Sequence, residues 1–280
     1  MRLIDCGTSV LTPGTPPVPW AAMGLPPPWD RLIPTLSASE TARPVQVEAI
    51  QTARILTSRR NLIVSAPTNS GKTLVGLVVL LDAVCRGQRA LLLEPYRAIA
   101  QERYADLHAA TGRLGDILGK TPGLQISTGD YRLEEETFDA PPPTAGELII
   151  ATPERFEAIL RNPDADGWVR SLGAVCVDEA HLISSLDRGP TLEFLITTML
   201  TLPVPPRLVL LSASVGDLTE ARGWLAPCDT VIQRERVPAL TKQVIALTDG
   251  ETSDEVVMRS VADALGRPGA SALVFVYQTR

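Results

Sequence analysis

From Val45 onward, short and almost wholly apolar runs alternate with longer mixed ones. The short runs are Asn61–Ser65, Ala90–Glu94, Leu124–Thr128, Glu147–Ala151, Ala174–Val177, Arg207–Ser212 and Thr230–Gln233. Lacking the polar alternation of a half-exposed strand, they are predicted as strands buried on both faces. Between them, Val45–Thr57, Lys72–Arg86, Arg97–Ala110, Pro153–Arg161, Thr191–Leu200 and Asp217–Leu225 are predicted as helices. Strands and helices in alternation imply an α/β fold, a mostly parallel sheet with helices on both faces. The punctuation agrees: Gly87 is placed to stop a helix, Thr152 followed by Pro153 to start one, and Asp139–Gly146, with three consecutive prolines, reads as a loop.

The two ends read differently. Residues 11–28 hold seven prolines, with Trp20 and Trp29 nearby. Such a stretch is neither helix nor central strand and is expected to lie on the surface as an extended arm. The character shifts again near Val237-Pro238. Gln243–Leu247 and Asp254–Leu265 then read as a strand and a helix, Arg267-Pro268-Gly269 as a break, and Ser271–Tyr277 as a new buried strand. The expected division is an N-terminal arm over 1–40, one domain over 41–236, and a linker with the start of a second domain over 237–280. On this reading the chain is a fragment that stops just inside the second domain.

Composition narrows the class. Of 280 residues 45% are apolar, which supports a large buried core and excludes global disorder. The net charge of −6 means that no overall basic field draws the chain to nucleic acid or membrane, so any grip on an anion must be local. Cys6, Cys85, Cys176 and Cys228 have no metal-type spacing and suit a reducing compartment. No apolar run reaches membrane-spanning length and the N-terminus lacks a signal-peptide pattern, so a cytoplasmic location without membrane contact is expected.

The chemistry gathers where predicted strands end. Ser65-Ala66-Pro67-Thr68-Asn69-Ser70-Gly71-Lys72-Thr73 joins a strand to an apolar helix. In that setting backbone N–H groups and a helix N-terminus can cradle a triphosphate. Gly71 permits close backbone approach, Lys72 reaches the β- and γ-phosphates, and the Thr73 hydroxyl is a magnesium ligand. Ala66 and Asn69 stand where glycine is common; asparagine tolerates the left-handed backbone such a turn needs. About a hundred residues later, Val175-Cys176-Val177 ends in Asp178-Glu179-Ala180-His181. Asp178 is placed to hold Mg²⁺ and Glu179 to polarise a water. Ser212-Ala213-Ser214 ends another apolar run; alone it reads as an ordinary turn of small residues.

Together these segments resemble the first RecA-like lobe of a superfamily-two helicase of the DEAD/DEAH-box kind, and within it the Ski-type branch. The motifs follow in order: Arg43-Pro44-Val45-Gln46, the Ala66–Thr73 loop, Glu94-Pro95-Tyr96-Arg97, Ser127-Thr128-Gly129-Asp130-Tyr131, Ala151-Thr152-Pro153-Glu154-Arg155, Asp178–His181, Arg188-Gly189-Pro190-Thr191-Leu192-Glu193 and Ser212–Ser214. Leu273–Tyr277 is similar to the opening strand of the second lobe. The resemblance implies an ATP-dependent, Mg²⁺-requiring P-loop NTPase acting on single-stranded DNA or RNA, with a second RecA-like lobe and possible protein partners. It implies that Gln46 meets the adenine edge, and that residues 66–73 bind the phosphates. Pro95, Arg97, Thr128, Gly129, Thr152, Pro153 and Arg155 would then line the nucleic-acid track; by themselves Arg97 and Arg155 read as solvated helix charges. His181, Ser212 and Ser214 would couple hydrolysis to lobe movement. Because the family's second lobe supplies arginines to the γ-phosphate, the fragment alone is expected to be nearly inactive. Two other readings stay open: a duplex DNA translocase within a repair or defence complex, and an ATP-gated clamp without turnover.

Overall fold

The computed structural model describes residues 17–37, 39–129, 146–213, 219–234 and 252–266. Asp130, Tyr131, Ser214 and the strand candidates at 243–247 and 271–277 lie outside them. Residues 13–238 form one compact unit; residues 1–12 and 239–280 form another, of which the helix Ser253–Leu265 is described.

The larger unit begins with β1 (Val18–Pro19), a 3₁₀ turn (Trp20–Ala22), α1 (Trp29–Leu36), β2 (Thr41–Ala42) and α2 (Pro44–Gln51). Then follow β3 (Asn61–Ser65), α3 (Lys72–Cys85), β4 (Arg89–Leu93), α4 (Arg97–Leu118), β5 (Gly123–Ser127) and β6 (Glu147–Ala151). The remainder is α5 (Pro153–Leu160), α6 (Asp166–Arg170), β7 (Leu172–Val177), a 3₁₀ turn (Ala180–Ser184), α7 (Gly189–Leu200), β8 (Arg207–Ser212), α8 (Thr219–Trp224) and β9 (Cys228–Ile232). The helix Ser253–Leu265 is α9.

Seven strands make one parallel sheet in the order β5-β6-β4-β7-β8-β3-β9. The apolar runs are continuous because both faces are covered. Leu62, Val64, Leu92, Ile150 and Val209 face one core layer, and Ile63, Leu91, Ile149, Leu208 and Leu210 face the other. In a parallel sheet every strand ends on the same edge. The segments after β3, β4, β5, β6, β7 and β8 therefore emerge together, and they carry the residues that the sequence singled out.

Four expectations needed correction. The proline-rich stretch is not a surface arm from Trp20 on: Trp20, Trp29, Leu32 and Ile33 are buried in the core layer shared with α2, α3 and α4. Few backbone hydrogen bonds are available there, but two indoles and a short helix have enough apolar area to hold the chain down. The helix expected to end at Ala110 runs to Leu118, because Leu114 is buried and Gly115 packs where a Cβ would lie 2.7 Å from Thr121 Oγ1; Gly119, at φ +69°, ends it. The helix expected to reach Thr57 stops at Gln51, and Arg54 turns left-handed (φ 50°), which lets Ile55 drop into the core. Thr152 does precede the first turn of α5, but its buried side chain makes no cap hydrogen bond.

Candidate functional site

The strand–loop–helix from β3 to α3 turns on two left-handed residues, Asn69 at φ 64° and Gly71 at φ 88°. A side chain at Gly71 is excluded by space as well, since its Cβ would lie 2.3 Å from Gln46 Nε2. Gln46 is buried against the loop. Its Oε1 accepts from the Arg43 N–H at 2.8 Å, and its Nε2 donates to the Gly71 carbonyl at 3.1 Å. The Arg43 guanidinium donates to the Asn69 carbonyl and lies 3.2 Å from Asn69 Oδ1. One end of the Gln46 amide is thus used on the loop and the other on the N-terminus of its own helix. Ala66, buried, ties the loop to β8 by donating to the Ser212 carbonyl at 3.0 Å; Ser212 is itself buried. Pro67 starts the turn and Thr68 is exposed on it. The Ser70 Oγ is buried without a hydrogen-bond partner among the described residues.

Lys72 and Thr73 open α3 and meet the acidic pair across the sheet edge. Thr73 Oγ1 donates to Asp178 Oδ2 at 3.3 Å, and Lys72 Nζ lies 3.7 Å from Glu179 Oε1. Glu179 is left-handed at φ 50°, an unusual conformation for a residue with a Cβ. Its N–H donates to Asp178 Oδ1 at 2.7 Å, and His181 Nδ1 sits 3.2 Å from its Oε2. These groups border a cleft of about 500 Å³, which Thr68, Asn69 and Ala213 also line. An orphaned hydroxyl, a buried ammonium and two convergent oxygen donors suit a polyphosphate with a small divalent cation, which takes few protein ligands beside phosphate oxygens. No cluster of three or more His, Cys, Asp or Glu suited to a metal occurs among the described residues.

The segments after β4, β5 and β6 bring together the predicted strand-binding positions. The Arg97 guanidinium lies directly on Gly129, where a Cβ would meet its carbon at 2.3 Å. Arg97 and Gly129 are exposed, Arg155 is half-buried, and Pro95 and Pro153 are buried. Thr128 and Thr152 are 0% and 3% exposed, backbone included, so neither presents a surface to a long ligand as the site stands.

Sequence reasoning passed over Glu94 and Arg103. Glu94 is 1% exposed and lines the cleft, with Arg103 Nε 3.8 Å from its Oε1. Burial, and next the Asp178 charge, push its carboxyl up to about 8. The signal was present: β4, like β7, ends an apolar run on a carboxylate, and Leu93 is in register with Val177.

The sequence model of the DEAD/DEAH box helicase family matches residues 43–221. Over 249 residues the chain is 33% identical to the ATP-dependent DNA helicase Hel308 of Thermococcus kodakarensis, covering 86% of this chain and 20% of that protein. The Hel308 of Pyrococcus horikoshii is 35% identical over 183 residues, 65% of this chain and 23% of its own. This chain therefore spans about a fifth to a quarter of the length of these relatives. Among solved structures, the DUF1998 helicase MrfA superposes with a TM-score of 0.49 at 20% identity, over 62% of this chain and 28% of that one.

Proposed function

This chain belongs to the DEAD/DEAH box helicase family, and from that premise we propose that it is the ATP-binding motor lobe of a helicase that moves along a single DNA strand. DNA rather than RNA is favoured by the names of the relatives. We assign residues 237–280 to the linker and the start of a second RecA-like lobe.

The observation that carries the reading is the meeting of Lys72 and Thr73 with Asp178 and Glu179, from segments 105 residues apart, beside a loop with two left-handed residues. Thr73 and Asp178 would hold Mg²⁺, which supplies charge neutralisation for the triphosphate. Lys72 takes negative charge at the β- and γ-phosphates. The loop N–H groups fix the phosphates in place. Glu179 orients the attacking water and is itself held in place by Lys72 and His181. Ser212 ends β8, the strand beside β3, and His181 follows β7, the next strand over; we assign to them the passing of a change at the γ-phosphate to the sheet edge. The strand runs along Pro95, Arg97, Gly129 and the start of α5, held by sugar–phosphate contacts that carry little sequence information.

Calorimetry tests the assignment. Lys72→Ala is expected to weaken ATP–Mg²⁺ binding at least tenfold, roughly the loss of one charge-assisted contact; unchanged affinity removes the loop from the reading. In the two-lobed protein Glu179→Gln is expected to bind ATP as well as the parent while turnover falls by about a hundredfold or more. A variant that hydrolyses ATP at the parent rate would exclude Glu179 as the water-orienting group.

A further inference from the structure

A second cavity, of about 310 Å³, adjoins the nucleotide cleft and is lined by Pro95, Tyr96, Arg97, Thr152, Glu154 and Arg188. We propose that Arg188 is a ligand for a backbone phosphate in this cavity, and that Glu154 takes the place of the phosphate when no strand is bound. The inference rests on the nucleic-acid reading above and adds to it a residue and a gate.

Arg188 is held by the same backbone that holds the acidic pair. A Cβ on Gly189 would lie 2.2 Å from the Ile183 carbonyl oxygen, so the start of α7 packs directly on the 3₁₀ turn Ala180–Ser184 that follows Glu179. The Ser185 hydroxyl accepts from the Arg188 N–H at 3.1 Å, and the Ser185 carbonyl accepts from the Gly189 N–H at 2.9 Å. An Arg-Gly pair here fixes where a guanidinium points relative to Asp178 and Glu179.

The side chain is oriented rather than solvated. Its guanidinium carbon lies 4.9 Å from the centroid of the Tyr96 ring, and Nη1 donates to the Pro95 carbonyl oxygen. Tyr96 is 49% exposed, and its face is where the guanidinium lies. A planar cation laid on an aromatic face keeps its outer N–H groups in a fixed fork, the geometry that suits a phosphate. Glu154 is the carboxylate lining the cavity, and its Oε1 stands 3.9 Å from Arg188 Nε, within ion-pair range but too far for a hydrogen bond. Glu154 is exposed and on the first turn of α5, free to swing away. Arg188 faces one loosely held carboxylate, within a chain of net charge −6. A phosphodiester takes the place of that carboxylate when it leaves. Pro95 and Tyr96 also line the nucleotide cleft, so the two ligands share a wall.

The test is fluorescence anisotropy with labelled single-stranded DNA and RNA of one sequence, at several NaCl concentrations between about 50 and 200 mM. Arg188→Ala is expected to weaken binding to both and to lower the slope of log K against log[NaCl] by about 0.7, one phosphate contact on a single strand. Arg188→Lys is expected to keep the parent slope while losing affinity, because an ammonium has the charge but not the fork. Glu154→Gln is expected to tighten binding. A parent-like slope in Arg188→Ala, or unchanged or weaker binding by Glu154→Gln, overturns the proposal, and so does a loss confined to RNA. If Arg188→Ala fails to fold, Arg188→Lys and Glu154→Gln decide. A parent protein that binds neither strand would overturn the nucleic-acid reading itself. Weakening by Arg97→Ala with no effect of Arg188→Ala would leave that reading and remove only this one.

Discussion

Glu94 stands one residue beyond the end of β4, where ionisation is costly. It is 1% exposed, and both its Oε1 and the facing Arg103 Nε lack hydrogen-bond partners among the described residues. Burial is the larger cause of its raised pKa, Asp178 the next, and Arg103 opposes them. Its carboxyl moves from an ordinary 4.5 to about 8 on folding. Below pH 4.5 both folded and unfolded chains hold the proton, and Glu94 adds no pH dependence to stability. Between 4.5 and 8 the unfolded chain releases it while the folded one retains it, so stability falls as pH rises through that window. Glu94→Gln, neutral at every pH, removes this slope. In nucleotide-free protein its melting temperature relative to the parent is expected to climb steadily from pH 5 to about pH 8, as linkage requires. A constant difference across that range would show that Glu94 titrates normally.

At the scale of elements, α3 shows how tightly the site is backed by the sheet. Its apolar run is buried almost all round, and Gly76 lies where a Cβ would be 2.7 Å from Cys176 Sγ and 2.9 Å from Leu211 Cδ1. Both neighbours are on central strands and fully buried, so neither can move aside. Gly→Ala normally strengthens a helix by about 1 kcal/mol, whereas overpacking a core costs about 1–3 kcal/mol. Space should win, and Gly76→Ala is expected to destabilise the protein by a net of about 1 kcal/mol, at most about 2, in urea unfolding. Stabilisation would mean that α3 can lift off the sheet. The alternation of elements was legible because fully buried strands are short and apolar throughout. Helix ends were less so. Gly112 does not stop α4 although Gly119, at φ +69°, does; a Cβ at either would meet nothing within 4 Å, so neither residue type nor crowding at the glycine tells them apart. The five-residue α6 went unpredicted; it is too short to show a period, and its Trp168 and Val169 are buried by neighbours distant in sequence.

At the scale of the whole molecule, Trp20 and Met23 of the proline-rich segment, with Trp29, Leu32 and Ile33 just after it, belong to the core of the unit spanning residues 13–238. Burying Leu32 and Ile33 alone contributes about 1.5–3 kcal/mol each, and Trp20 and Trp29 add to this. Deleting residues 1–42 is therefore expected to lower the melting temperature by about 10 °C or more, or to yield insoluble protein, whereas an accessory arm could be removed without effect. Scanning calorimetry of the shortened chain decides between them. By itself the sequence determined the α/β class, the phosphate loop and the acidic pair, because each is local: a strand, a turn and a helix contiguous in the chain, or an apolar run ending in carboxylates. Only the tertiary structure decided which of these groups meet. The parallel sheet puts Thr73 beside Asp178, Arg97 on Gly129 and Arg188 on Tyr96. It also buried Glu94, Thr128 and Trp20. Burial and pairing across strands depend on the order of the sheet, β5-β6-β4-β7-β8-β3-β9, and that order arises from packing over the whole chain rather than from any single segment.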